Sequence, residues 1–235
     1  MSLSNQINTF TEKITISDRR NGKASALNLQ MPLNKVKEFP VISVIIPVLQ
    51  EEKLLEQTLR NYPAELRFKY NIELIVSDGG STDRTVEIAE KFADIVVRHD
   101  GTHRQTIAEG RNKGAEVACG NILVFINGDT FPENPEMFFE FISNWNSYNS
   151  GNHNYSALAC PVSVAPREIL FRDKIFYKLH NFYVWLLNSL GFGMGRGECQ
   201  IIKRDVFLST GGYNQDIAAG EDFDLYRRIS KIGKI

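Results

Sequence analysis

Cysteine and histidine are scarce in this chain, at three and four of 235 residues. Cys119, Cys160 and Cys199 are odd in number and widely spaced, with no histidine at metal-ligand spacing, which argues against a disulfide framework and against a zinc site. A reducing, cytoplasmic setting fits them best. Net charge is nearly absent too: 27 basic residues stand against 28 acidic ones, a formal net of −1, so nothing suggests the electropositive face that a nucleic-acid partner needs. No basic stretch followed by an apolar one opens the chain, and no secretory signal is expected. Long apolar runs are missing as well. Leu179 to Gly195 carries no formal charge with His180 neutral, yet His180, Asn181, Asn188 and Ser189 make it too polar and too short for a span of about 20 apolar residues.

What is present is 43% hydrophobic and 23% charged residues, enough for one sizeable core with or without an appended subdomain. Residues 1–40 are polar and aperiodic and read as an N-terminal extension. Residues 41–235 read as one domain, divided near 131. Val41 to Val48, broken by Pro47, is a β-branched run expected as a strand buried on both faces. Glu51 and Glu52 open a helical pattern with Leu54, Leu55, Thr58 and Leu59 on one face, closed by Pro63. Strands are expected at Ile72 to Val76, Ile95 to Val97 and Ile122 to Ile126. Ser81 is the expected cap of a helix carrying Val86, Ile88, Ala89 and Phe92, and Arg104 to Cys119 reads as a helix ended by Gly120. Gly110 and Gly114 inside it fit a close approach by a strand or a phosphate, or simple tight packing. This alternation predicts a mainly parallel α/β sheet with helices on both faces, whose ligands bind beyond the carboxyl ends of the strands.

Three acidic clusters fall at such ends or beside glycines: Ser77-Asp78-Gly79-Gly80-Ser81, Asn127-Gly128-Asp129-Thr130 and Gly220-Glu221-Asp222-Phe223-Asp224. Each has a bland reading. Asp-Gly-Gly and Asn-Gly-Asp form turns, and an acidic pair stabilises any helix start. Together with Pro47-Val48-Leu49-Gln50-Glu51-Glu52, Arg111-Asn112-Lys113-Gly114-Ala115 and Gly211-Gly212-Tyr213, however, they resemble in order the signatures of family 2 glycosyltransferases, from about Val41 to the C-terminus.

The resemblance implies a GT-A fold with a Rossmann-like sheet, a donor half over 41–131 and an acceptor half over 132–235. It implies inverting transfer from a UDP-, GDP- or dTDP-sugar to a glycan or lipid-linked hydroxyl in cell-envelope polysaccharide synthesis, at the inner face of the membrane. Pro47, Leu49, Glu51, Asp78, Gly80, Arg111, Asn127 and Gly128 match donor-site positions, with Asp78 on base or ribose and Arg111, backed by Arg104, on the diphosphate. Asp129 matches the carboxylate that seats Mg²⁺ or Mn²⁺, Asp222 the general base, and Glu221 and Glu198 the acceptor side. The chain departs from the pattern at Gly79 and at Asn127, both positions where the family often has Asp, and the second departure lowers the negative charge offered to a metal. No role follows for His103, and Arg228 is left between a surface pair with Asp224 and a site role.

The competing readings are a nucleotide-sugar-binding module without turnover, motivated by Asn127 and by a chain that stops just after the last helix, and a sugar-phosphate nucleotidyltransferase, which lacks here its Gly-rich loop with following Arg and Lys. A dinucleotide-dependent oxidoreductase lacks Gly-x-Gly-x-x-Gly after the first strand. The aromatic-rich stretch Arg167 to Leu190, with Lys174 and Lys178, is readable as a membrane-surface helix, a packing helix or a dimer contact. Gly191 to Gly197 reads as a flexible loop.

Overall fold

A strand flanked by strands and covered on both faces needs apolar residues at nearly every position. β1 (Ile42–Val48) meets that requirement in the computed structural model, which describes residues 41–148, 155–163, 171–217 and 219–235. The expected extension over 1–40 and the start of the aromatic stretch, 167–170, lie outside the described residues. After β1 come α1 (Leu55–Leu59), α2 (Ala64–Lys69), β2 (Ile72–Asp78), α3 (Thr85–Phe92), β3 (Ile95–Arg98), α4 (Ile107–Val117) and β4 (Ile122–Ile126). Then follow α5 (Pro135–Tyr148), β5 (Ala157–Ala159), α6 (Phe171–Ser189), β6 (Cys199–Lys203), α7 (Arg204–Ser209) and α8 (Glu221–Ile229).

The sheet runs β3-β2-β1-β4-β6-β5. β1 pairs in parallel with β2, from Ile42↔Ile72 to Val48↔Asp78, and with β4, from Ile42↔Ile122 to Ile45↔Phe125. β6 reverses direction against β4, and β5 pairs antiparallel with β6. Alternate residues of β1 enter two separate cores. Val44 and Ile46 meet Leu55 and Leu59 of α1, Ile88 of α3 and Phe139 of α5, whereas Ile45 meets Ala115 of α4 and Tyr226 of α8. The chain moves outward from β1 through β2 to β3 and then returns to the other side of β1 at β4. The carboxyl ends of β1 and β4 therefore diverge at a topological switch point, the place where such sheets leave a crevice.

Several local expectations are corrected. Glu51 and Glu52 precede the helix, which starts at Leu55, and Leu54 is exposed. Ser81 does not cap α3. Its hydroxyl accepts the Gln50 N–H at 2.9 Å, while Asp83 Oδ1 accepts the Thr85 N–H at 3.0 Å. α4 begins only at Ile107, because the Thr106 hydroxyl caps Glu109 N, and it ends at Val117. Gly114 answers the close-approach question for the strand: a Cβ there would sit 2.4 Å from Ile45 Cγ2. The glycines of 191–197 serve packing as well as turning, since Cβ atoms on Gly193 and Gly195 would lie 2.4 Å from the Tyr226 carbonyl oxygen and ring. The cysteines are not all apart either. The Ala159↔Gln200 pairing brings Cys160 beside Cys199, whose thiol is pushed up by that neighbour's hydrogen bond and then by burial.

Candidate active site

A cleft of about 590 Å³ opens at the switch point, within the range of small-ligand sites. One wall comes from the end of β1 and the loop after β4, with Pro47, Leu49, Glu51, Asn127, Gly128 and Asp129 on it; the other includes Gly79, Arg104, Gln105 and Gly110. The first wall is tied together from below. Gln50 adopts φ +58, which turns the chain sharply after β1, and its amide nitrogen donates to Thr82 Oγ1 at 2.9 Å. The Glu51 N–H donates to Thr85 Oγ1 at 2.8 Å. Thr58 Oγ1 donates to the Gly128 carbonyl at 2.6 Å, and a Cβ on Gly128 would meet Val48 Cγ1 at 3.1 Å and Glu51 Cγ at 3.4 Å. Glycine is thus what lets the β4 loop lie against β1.

The cleft is acidic at that wall. Burial first, then the charges of Asp129 and Asp83, raise the Glu51 carboxyl above its ordinary range. Asp129 is exposed, its Oδ1 accepting only a 3.2 Å bond from the adjacent Thr130 hydroxyl among the bonds seen. Two carboxylates near enough for the Asp129 charge to act on Glu51, in an opening able to admit a diphosphate, form an oxygen-donor set suited to a hard divalent cation. A second group near Gly80, formed by His99, Asp100 and His103, is poorly suited to one. His99 Nδ1 accepts the Gly101 N–H at 2.9 Å, so in the neutral ring its other nitrogen bears the proton and has no lone pair to offer. His103, for which the sequence implied no role, pairs with Glu109 at 2.8 Å.

Asp78 and Gly80 form the turn after β2. The Asp78 carboxylate is 3% exposed and accepts the N–H groups of Gly80 and Ser81 at 3.0 Å, which is the turn role; Gly80, at φ +95, permits that turn. Arg111 is held from within the protein. It is 1% exposed, and its guanidinium donates to Glu221 Oε1 (2.8 Å), Asn127 Oδ1 (3.1 Å) and the Gly197 carbonyl (2.7 Å) while stacking over Tyr213. With those contacts it organises the protein's own acids rather than reaching a ligand. Arg104, the weaker candidate in the sequence, is the arginine on the cleft wall.

Arg111 links the cleft to the third cluster. Gly220, at φ +85, turns the chain into α8, and Glu221 and Asp222 follow with 7% and 8% exposure. A Cβ on Gly197 would lie 3.5 Å from both Arg111 Nη2 and Asp222 Oδ2, so the two side chains converge at Gly197. Burial first, then the neighbouring Glu221, raise the Asp222 carboxyl, against the opposing pull of the Phe223 N–H and Arg111. Glu198 belongs to the same neighbourhood, because its carbonyl accepts the Asn127 N–H at 3.3 Å. Its carboxylate is raised by burial but lowered overall by the 2.9 Å bond from Arg196, which also donates to Asn181 at 2.8 Å. Arg228 is structural: it pairs with Asp224 at 2.7 Å and donates to the carbonyls of Thr210 and Gly212.

Sequence reasoning missed Gln105. It is 8% exposed and lines the cleft, its Oε1 lies where Cβ atoms on Gly79 and Gly110 would come within 3.2 and 3.3 Å, and its buried Nε2 has no partner. A buried donor without a protein partner on a cleft wall can be satisfied by a ligand acceptor or by water. A glutamine just before a helix cap gives no periodic or motif signal that could have revealed it.

The sequence profile described as glycosyl transferase family 2 matches residues 43–207. Glycosyltransferase AglE of Haloferax volcanii is 34% identical over 100 residues, 40% of this chain and 32% of that protein. The probable glycosyltransferase YdaM of Bacillus subtilis is 23% identical over 206 residues, 84% of this chain and 48% of that protein. The chain thus spans about half or less of the length of these relatives. Among solved structures, the mannosyltransferase PcManGT from Pyrobaculum calidifontis, in complex with GDP-Man and Mn²⁺, aligns with a TM-score of 0.61 at 22% identity, over 84% of this chain and 54% of that one. S. aureus TarS 1-349 in complex with UDP-GlcNAc aligns at 0.56 with 17% identity, over 80% and 53%. Likeness at these identities shows the fold, which is GT-A. With the family profile covering most of its length, the chain belongs to glycosyl transferase family 2.

Proposed function

We propose that this chain transfers a sugar from a nucleoside diphosphate sugar to a hydroxyl acceptor, with inversion at the anomeric carbon. The observation that carries the reading is the pairing of an acidic cleft at the switch point, walled by Glu51, Asp129, Arg104 and Gln105, with a buried aspartate of raised pKa joined to it through Arg111. Asp129, with Glu51 beside it, would hold Mg²⁺ or Mn²⁺, whose chemistry there is to offset charge on the donor diphosphate. The Mn²⁺ and nucleotide sugar bound by the Pyrobaculum neighbour support that assignment. Arg104 supplies a guanidinium to the same phosphates, and Gln105 donates to an acceptor atom of the nucleoside.

Asp222 takes the proton of the acceptor hydroxyl as its oxygen bonds to the anomeric carbon and the bond to the diphosphate oxygen breaks. The electron pair leaves with the nucleoside diphosphate, and a single displacement inverts the centre. A carboxylate held above the ordinary aspartate range is a better base than a normal one. Arg111 positions Glu221 and Asn127 around it, and Glu198 lies on the acceptor side. The acceptor is a glycan or a lipid-linked sugar.

The test is release of nucleoside diphosphate from UDP-, GDP- and dTDP-sugars in the presence of mixed hydroxyl acceptors, for wild type and Asp222→Asn. Loss of release with nucleotide binding intact supports the base assignment; release at the wild-type rate overturns it. A second reading, donor binding without turnover, draws on Asn127, which replaces one acid and is held by Arg111. Donor binding by wild type with no release under any acceptor would favour it.

A further inference from the structure

α6 is amphipathic in the reverse sense. Its inward side is its polar side: Asn181 bonds the backbone of Val162 and accepts from Arg196, Asn188 bonds the backbone of Met194, and Val184 is the buried residue between them. Its outward side is apolar. Phe176, Leu179, Phe182, Tyr183 and Trp185 are 50–63% exposed, and Phe171 is 79% exposed. An apolar face of this size on a helix of 19 residues, about 28 Å long, needs an occupant.

We propose that this face lies on the surface of an anionic lipid bilayer. The charge on the helix favours lipid over a second copy of the chain. Arg172, Lys174 and Lys178 are exposed around the first two turns, and the helix has a single acid, Asp173, which is 31% exposed and 3.7 Å from Arg172. Two copies of this face would oppose like charges, whereas anionic headgroups neutralise them. Trp185 and Tyr183 suit the headgroup level, where an apolar ring and a polar tip are both satisfied. No helix among the described residues is long and apolar enough to cross a membrane, so the helix would lie in the interface plane. The inward side of the same helix reaches Arg196, which holds Glu198, so a docked α6 would keep that pair within one helix width of the lipid surface.

The test is co-sedimentation of the full chain, without nucleotide, with vesicles of phosphatidylcholine alone or mixed with phosphatidylglycerol, together with Trp185 emission. Binding to the anionic vesicles with a blue shift is expected. Each positive charge removed near the surface lowers binding about fivefold, so Lys174→Gln with Lys178→Gln should weaken it roughly 25-fold. Leu179→Ser with Phe182→Ser should abolish it. All four side chains are exposed, so the folds of these variants can be checked by circular dichroism. A folded wild type that stays in the supernatant with anionic vesicles, or that binds neutral ones equally, would overturn the proposal. So would a dimer in sedimentation equilibrium that the Leu179→Ser, Phe182→Ser variant dissolves. Because nucleotide is absent, failure of the transferase reading would leave these outcomes unchanged.

Discussion

Asp222 is costly for the fold and, on the proposed reading, useful for the chemistry. Burial raises its carboxyl above the ordinary 3.8, so the folded protein binds that proton more tightly than the unfolded chain does. Ionisation therefore removes stability as pH climbs from the ordinary aspartate range through the raised value. Asp222→Asn should then match or exceed wild type in thermal stability at pH 7 while losing about 10²–10⁴-fold in turnover. The acidic limb of wild-type kcat/KM should fall above the ordinary aspartate range and disappear in the variant; a limb at 3.8 or below would contradict the assignment. Arg111 predicts the opposite pattern. Its removal strands the buried carboxylate of Glu221, so Arg111→Ala should cost about 3–5 kcal/mol in denaturant titration. Arg111→Lys should rescue little, because one ammonium cannot reproduce a fork that serves Glu221, Asn127 and Gly197. Gln105→Met should leave stability within about 1 kcal/mol and weaken nucleotide affinity about tenfold, the worth of one hydrogen bond in a closed site. The motif reading picked Arg111 and the weaker Arg104 for the same task. Only burial separates them, and a motif does not encode burial.

The elements around the site owe their positions to close approaches that side chains would block. Gly114→Ala would drive a methyl into Ile45 of β1, and overpacking of that kind costs about 1–3 kcal/mol; a midpoint in urea unchanged from wild type would show that α4 can retreat. Strands were the most readable elements, because runs such as Ile122–Ile126 are apolar at every position and have few competing readings. Helix starts were the least readable. Ser81 has the chemistry of a cap, but Gln50 in its left-handed turn takes the hydroxyl, a partner distant in sequence. The Gly191 to Gly197 loop reads as flexible from composition alone, yet the carbonyl of Tyr226 requires a glycine at Gly193 and its ring one at Gly195. In α6 the aromatic spacing was visible while the direction of its apolar face was not, since that depends on which polar residues find partners inside.

At the scale of the molecule, the alternation of strand and helix over the first half announces a parallel sheet and so the place of its crevice. Pro47 and Asn127 to Asp129 do meet there. The reversed β6 and the short β5 carry no such signal, because an antiparallel edge reads like any other apolar segment. It is this reversal that carries Glu198 to the level of Asn127 and lets the last third of the chain meet the loop after β4. The central claim is that the crevice is a metal-assisted site for a nucleoside diphosphate. Calorimetric titration of UDP, GDP and dTDP, each with and without Mn²⁺, against wild type and Asp129→Ala tests it most directly. The account predicts Mn²⁺-dependent binding of one nucleotide that Asp129→Ala abolishes. Failure of all three to bind a folded wild type, or binding indifferent to both Mn²⁺ and Asp129, would contradict it.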